Sequence, residues 1–299
     1  MATCRGIDVS AYQGTQDWAA HKRNGVVFAF AKASEGQHSR DGKFATHITG
    51  IKASGLVPGA YHFAWPNQDV NTEAANYIGA VRPYAGKGFT HWLDLERYSD
   101  GRNYAGRTAA QIRAWVTTWV ATVQAAFPGQ RVGVYTSASD LAAGHVPAGV
   151  PLWYPAYPGT RVDTYAEAEA ATQPRPSGRT PLIWQFTSDP EGPARIDQSI
   201  AYMSAEAFRA WAAGTTTPAT EEDPMAGITE QDIYDAVWNR DRMAAPKDAP
   251  DVKKNPTWQP QSYLRSIYNA VVSLPGTVAA LRKDVAALRA EVAELKKEA

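Results

Sequence analysis

Residues 91 to 98 read HWLDLERY and set two carboxylates, Asp94 and Glu96, two positions apart inside an apolar run. On a strand, alternate side chains share a face, so Trp92, Asp94 and Glu96 point one way while His91, Leu93 and Leu95 point the other. Burying two ionisable acids side by side costs several kcal/mol unless they are paired or used. Strand positions i and i+2 lie about 6.6 Å apart, so both carboxyls can bracket one small reacting centre. Cleavage of a glycosidic bond needs that arrangement: one acid kept protonated for the leaving oxygen, and a second charge beside the oxocarbenium-like centre. Repulsion and burial would push the two pKa values apart.

Two further acids occupy comparable places. Asp8 lies in GIDVS and Asp197 in RIDQS, the first and last strand-like runs of the region 6 to 199. Between them the apolar runs are VVFAFAKAS (26 to 34), PGAYHFAW (58 to 65), HWLDLE (91 to 96), RVGVYTS (131 to 137), LWYPAY (152 to 157) and LIWQFTS (182 to 188). Eight runs suffice to close a barrel, and closure makes the first and last strands neighbours. Four acids can then converge on one mouth.

Amphipathic stretches at 43 to 54, 70 to 82 and 108 to 127 supply the helices. In the last, Ile112, Trp115, Trp119 and Val123 form an apolar stripe fit to dock on a sheet. The later connections are shorter and rich in Pro and Gly, so the expected fold is α/β, an irregular TIM-like β/α barrel whose last crossovers are degenerate.

The ordered set DVSAYQG (8 to 14), KASEG (32 to 36), GAYHF (59 to 63), DLE (94 to 96), VYTS (134 to 137), WQFTS (184 to 188) and RIDQS (195 to 199) resembles glycoside hydrolase family 25, the Chalaropsis-type lysozymes. The resemblance spans about residues 1 to 213. It implies cleavage of the β-1,4 bond between N-acetylmuramic acid and N-acetylglucosamine, with Glu96 as proton donor. Asp94 would then stabilise or orient at the anomeric side, with Asp8 and Asp197 as supporting carboxylates. An intermediate on an enzyme carboxylate or on the substrate's own acetamido oxygen both stay open. The chain departs from the family pattern at Gln198 and Ser199, where an Asn-containing strand end is expected.

Around these acids, Tyr61, Tyr135 and Trp184 fall near strand ends where a sugar can stack or hydrogen-bond. Lys32 follows Phe28 and Phe30 on one strand face and should meet the acids or a substrate carboxylate. Glu35 lies in the next turn, either touching substrate or pairing with Lys32. His62 and His91 fall on the opposite faces and read as packed histidines.

Composition narrows the remaining possibilities. The chain has 299 residues, 44% hydrophobic, with 30 basic and 30 acidic side chains and no net charge. Nothing marks a nucleic-acid or anionic-membrane surface. Cys4 is the only cysteine, and the six histidines show no zinc-ligand spacing, so neither a disulfide framework nor a zinc hydrolase is expected. No metal or cofactor is implied. The N-terminus shows no basic-then-apolar leader and no run approaches the ~20 apolar residues of a membrane span. The protein is therefore expected to be made soluble in a cytoplasm and to act on a bacterial wall after release, as a phage endolysin would.

The domain plan is a catalytic barrel over 1 to 214, a Pro-containing linker at 215 to 227, a small helical region at 228 to 274 and a coiled-coil segment at 275 to 299. Val278, Val285 and Val292 alternate with Leu281, Leu288 and Leu295 at heptad spacing, a pattern that favours a parallel two-stranded coil. Asp284 and Glu291 would face Arg289 and Lys296 of a partner, so a homo-oligomer through 278 to 299 is expected. A second class stays open: a non-catalytic glycan-binding or virion structural protein joined through the coil. Retention of four acids weighs against it, because a binder has no use for an unfavourable carboxylate cluster.

Overall fold

The computed structural model describes residues 2 to 158, 162 to 188, 196 to 215, 243 to 245, 253, 257 to 258 and 260 to 298. The chain divides into two compact units, Met1–Glu221 and Glu222–Ala299.

The first unit is a closed barrel. Its strands are β1 (Cys4–Val9), β2 (Val26–Glu35), β4 (Val57–Phe63), β5 (Thr90–Leu95), β6 (Arg131–Thr136), β7 (Leu152–Pro155), β8 (Ile183–Thr187) and β9 (Asp197–Ala201), with β3 (Ser39–Arg40) a short hairpin on β2. Neighbours from β1 through β8 pair in parallel, and β9 runs antiparallel to both β8 and β1, closing the ring. Each of the eight apolar runs contributes one barrel strand. The direction of the last was not legible, because alternation of period two reads the same both ways.

That reversal positions the chemistry. In parallel strands the C-terminal ends form one rim of the barrel, whereas an antiparallel strand brings its first residue there. Asp197 opens β9 and sits in register with Asp8 near the end of β1.

Two cores lie on either side of the sheet. The inward face carries Phe28, Phe30, Trp92, Trp153 and Ile183, closed off by Phe208 and Trp211 of the helix Ala205–Ala212. Phe28 stacks on Phe208 with ring centroids 4.5 Å apart. Glycine makes room for these rings: a Cβ on Gly6 would lie 2.0 Å from Phe28, and one on Gly133 2.3 Å from Trp92.

The outward face packs under helices α1 (Trp18–Arg23), α2 (Phe44–Ala53), α3 (Val70–Val81) and α4 (Ala109–Ala126). Thr108 caps α4 through a capping box with Gln111. The stripe Ile112, Trp115, Trp119 and Val123 is buried as its spacing requires, each such side chain stabilising by roughly 1.5–3 kcal/mol. Beyond β6 the helices shrink to α5 (Ala138–Ala142) and α6 (Tyr165–Ala170), the expected degeneracy of the late crossovers. The helix Ala205–Ala212 is α7.

In the second unit a two-residue ladder joins β10 (Met243–Ala244) to β11 (Thr257–Trp258), and one 39-residue helix, α8, runs from Pro260 to Glu298. The expected boundary between a small helical region and a terminal coil at 274/275 is not a break, since α8 continues through Pro275 and Gly276. The helix expected from Thr229 lies outside the described residues. Leu264, Ile267, Val271, Leu274, Val278, Leu281, Val285 and Leu288 of α8 are all exposed, at 44–59%. Their spacing alternates three and four without interruption, extending the heptad repeat upstream of 278.

Candidate active site

The strand ends build a cleft of about 240 Å³ lined by Asp8, Lys32, Tyr61, Asp94, Glu96, Tyr135 and Asp197 among others. Seven of the nine residues expected at the site therefore face one hollow. β5 presents Trp92 to the inner core and Asp94 above it, with Glu96 one step past the strand end. His91, Leu93 and Leu95 are buried on the other side.

Burial decides the charge states. Asp94 is 7% exposed and Oδ1 has no hydrogen-bond partner among the described residues. Desolvation, then the charge of Glu96, pushes its pKa well above the usual carboxylate range. Glu96 is raised too, mainly by burial and further by Asp140 and Asp197. Asp8 is raised by burial and by Asp197, and burial brings Asp197 itself up to about 6. Four crowded acids cannot all ionise near neutral pH, so the cluster retains protons. A protonated carboxyl beside an ionised one is the condition for acid-assisted cleavage.

The cation expected near the acids is present but engaged. Lys32 Nζ donates to Glu35 Oε2 at 2.6 Å. Burial works against its charge, yet Glu35's hydrogen bond and charge outweigh that and raise its pKa. Glu35 is held below its ordinary value because Lys32 overcomes the opposing burial. Its other oxygen accepts from Tyr98 Oη at 2.8 Å and Trp65 Nε1 at 3.1 Å. Glu35 is thus tied to Lys32 and two aromatic donors, and it does not line the cleft.

Trp184 requires a correction. It is 2% exposed on the outer face of β8, packed with Phe186 and Ile200, and its Nε1 donates to Ala156 O at 2.8 Å. The inward position belongs to its neighbour Gln185, which lines the cleft. The alternation of LIWQFTS carried that signal: a lone polar residue between two buried aromatics.

Other contributors were not anticipated. Tyr12 and Gln13 line the rim, Tyr12 being 94% exposed, and Phe63 and Trp153 line the wall. Asn103 fixes the chain leaving β5 by donating to Glu96 O at 2.8 Å and Ala64 O at 3.1 Å while accepting from Tyr98 N at 3.0 Å. The histidines sit outside the cleft. His62 bonds Ser34 and Glu73 at 2.9 Å each and stacks on Trp119. His91 bonds Tyr77 and Gln130. At the departure from the family pattern, Ser199 Oγ accepts from Trp153 Nε1 at 3.2 Å.

A closed mixed barrel with clustered, proton-retaining acids at the rim has the architecture of a carboxylate glycosidase. The chain belongs to glycosyl hydrolases family 25, whose model matches residues 7 to 194. Lysozyme M1 of Streptomyces globisporus is 34% identical over 138 residues, covering 45% of this chain and 47% of that protein. The N,O-diacetylmuramidase of Chalaropsis sp is 34% identical over 122 residues, covering 38% and 57%. The chain thus spans about half the length of the curated relatives it matches. Among solved structures, the bacterial lysozyme from Streptomyces coelicolor superposes with a TM-score of 0.60 at 27% identity, covering 71% of this chain and 98% of that one.

Proposed function

We propose that this protein is a peptidoglycan muramidase that cleaves the β-1,4 bond between N-acetylmuramic acid and N-acetylglucosamine. The observation that carries the reading is the position of Glu96, a carboxyl with raised pKa at the cleft, two residues from the more deeply buried Asp94. Glu96 gives its proton to the glycosidic oxygen as the C1–O bond breaks and its electron pair passes to that oxygen. Asp94 supports the positive charge left on the sugar. Water then adds to C1, and its proton returns to Glu96. Asp8 and Asp197 frame the pocket and keep the local charge negative. Tyr61 and Tyr135 offer both a ring and a hydroxyl to the sugar. The named relatives, a lysozyme and a diacetylmuramidase, support the same substrate.

The role in lysis is that of an endolysin, a wall-cutting barrel joined to a separate appendage. α8 supplies that appendage. Its exposed a and d positions pair with a second copy in a parallel coiled coil, extending the expected 278 to 299 seam upstream to Leu264. Two barrels tethered in this way meet one polymeric wall, and linkage raises their effective concentration without new contacts. Among the described residues no helix is long and apolar enough to cross a membrane. Replacing Glu96 by Gln and following the release of new muramic acid ends tests the chemistry; measuring solution mass tests the coil.

A further inference from the structure

Three successive carbonyls carry the chain past its two central acids, and the third is held differently from the others. Asp94 O accepts from Ala64 N at 2.9 Å, and Leu95 O accepts from Thr136 Oγ1 at 2.8 Å. Those donors come from the ends of the neighbouring strands β4 and β6. Leu95 and Thr136 form the last register pair of β5 with β6, so the ladder stops one residue short of Glu96. Glu96 O accepts instead from Asn103 Nδ2 at 2.8 Å.

Asn103 sits in a short 3-10 turn, Arg102–Tyr104, and is fully buried. Its Nδ2 also donates to Ala64 O at 3.1 Å, and its Oδ1 accepts from Tyr98 N at 3.0 Å. Two carbonyls and one N–H fit only one orientation of the amide, and both of its protons are used. The side chain therefore grips the backbone on either side of Arg97 and ties it to the end of β4. Gly101 lets the chain return: it takes φ +70°, open to glycine, and its N donates to Tyr98 O at 2.8 Å. Asn103 O in turn accepts from Asn67 N at 3.1 Å, so the grip is anchored in the loop after β4 and not in the strand that carries the acid.

We propose that Asn103 is the positioning residue for Glu96: where the sheet no longer reaches, its amide fixes the backbone from which the acid is aimed into the cleft. The proposal rests on reading Glu96 as the proton donor. An acid on an unheld backbone misses the glycosidic oxygen, and a misplacement of about 1 Å costs on the order of 10²-fold in rate. Substrate is gripped by other residues of the cleft, so the loss falls on kcat and not on KM.

The test is steady-state kinetics on a soluble peptidoglycan fragment with Asn103→Leu, which is similar in size and lacks the amide, made in the wild-type chain and in Glu96→Gln. In the wild-type chain kcat falls on the order of 10²-fold with KM unchanged. In Glu96→Gln the same substitution leaves the residual rate unchanged, because no acid remains to be aimed; a general loosening of the barrel would lower both rates alike. Asn103→Ser, too short to reach both Glu96 O and Ala64 O, gives the same pattern and serves if the Leu variant does not fold. Wild-type kcat in a folded variant overturns the proposal, as does an equal loss in both backgrounds. Full activity of Glu96→Gln by itself removes the acid and the proposal with it, whereas a loss at Glu96→Gln with none at Asn103→Leu overturns the proposal and leaves the acid in place.

Discussion

Asp8 and Asp197 are register partners across the antiparallel seam that closes the barrel. Burial and their mutual charge raise Asp8, and burial raises Asp197 to about 6. A carboxyl whose folded pKa lies above its unfolded value stabilises the fold fully below the unfolded pKa, and that contribution is lost as pH rises through the folded pKa. Asp197→Asn should therefore gain stability relative to wild type as pH climbs from about 4 to above 6, by on the order of 2 kcal/mol, while activity falls. Urea unfolding of both proteins across that range checks this; a difference independent of pH would mean that the seam does not hold a proton.

Trp184 and Tyr12 divide structural from substrate roles. Trp184→Phe loses the bond to Ala156 O and some buried volume, so it should cost roughly 1–3 kcal/mol of stability and leave KM near wild type. Tyr12→Ala should do the opposite, raising KM for a soluble glycan roughly three- to tenfold, the worth of one ring contact, with little change in Tm. Thermal melts and steady-state kinetics on both variants separate the cases, and a KM effect at Trp184 would contradict its placement on the outer face.

Lys32 offsets the charge of Asp94 as well as pairing with Glu35. Lys32→Met should raise the Asp94 pKa further, moving the acidic limb of kcat/KM upward by about one pH unit. It also leaves Glu35 without its cation, lowering stability at neutral pH. A pH profile with an unmoved acidic limb would show that Asp94 does not sense this charge.

The α8 seam makes a hydrodynamic prediction. The monomer mass is 32.4 kDa, and light scattering should return twice that value for the intact chain. Leu281→Asp with Val285→Asp, two charges in the apolar seam, should return the monomer mass. Cleavage of soluble fragments should be unaffected while turnover of insoluble wall falls. A monomeric intact chain would refute the coil.

Much of the barrel is legible in residue order. Alternation locates the eight strands and sends Asp94 and Glu96 inward, and helical spacing locates α2, α3 and α4. What escapes is what local pattern does not encode. The reversal of β9 leaves its alternation unchanged, although it is what brings Asp197 to the rim. The alternation of LIWQFTS points Gln185 inward, but its partners Tyr135 and Tyr157 arrive from another strand and a loop and are not encoded locally. Trp184 was misplaced because residue type suggested a sugar platform, while strand parity assigned that face to the outer core. The boundary expected at 274/275 is not a helix end, because α8 runs through it and the heptad spacing continues on both sides.

The most direct measurement incubates the purified chain and its Glu96→Gln variant with peptidoglycan and identifies the new reducing ends by mass spectrometry. Muramic acid ends from the wild type, reduced on the order of 10²–10⁴-fold in the variant, are the expected result. Intact glycan after incubation with the wild-type protein would contradict the muramidase assignment and leave a wall-binding or structural protein; equal release by both would remove Glu96 as the acid.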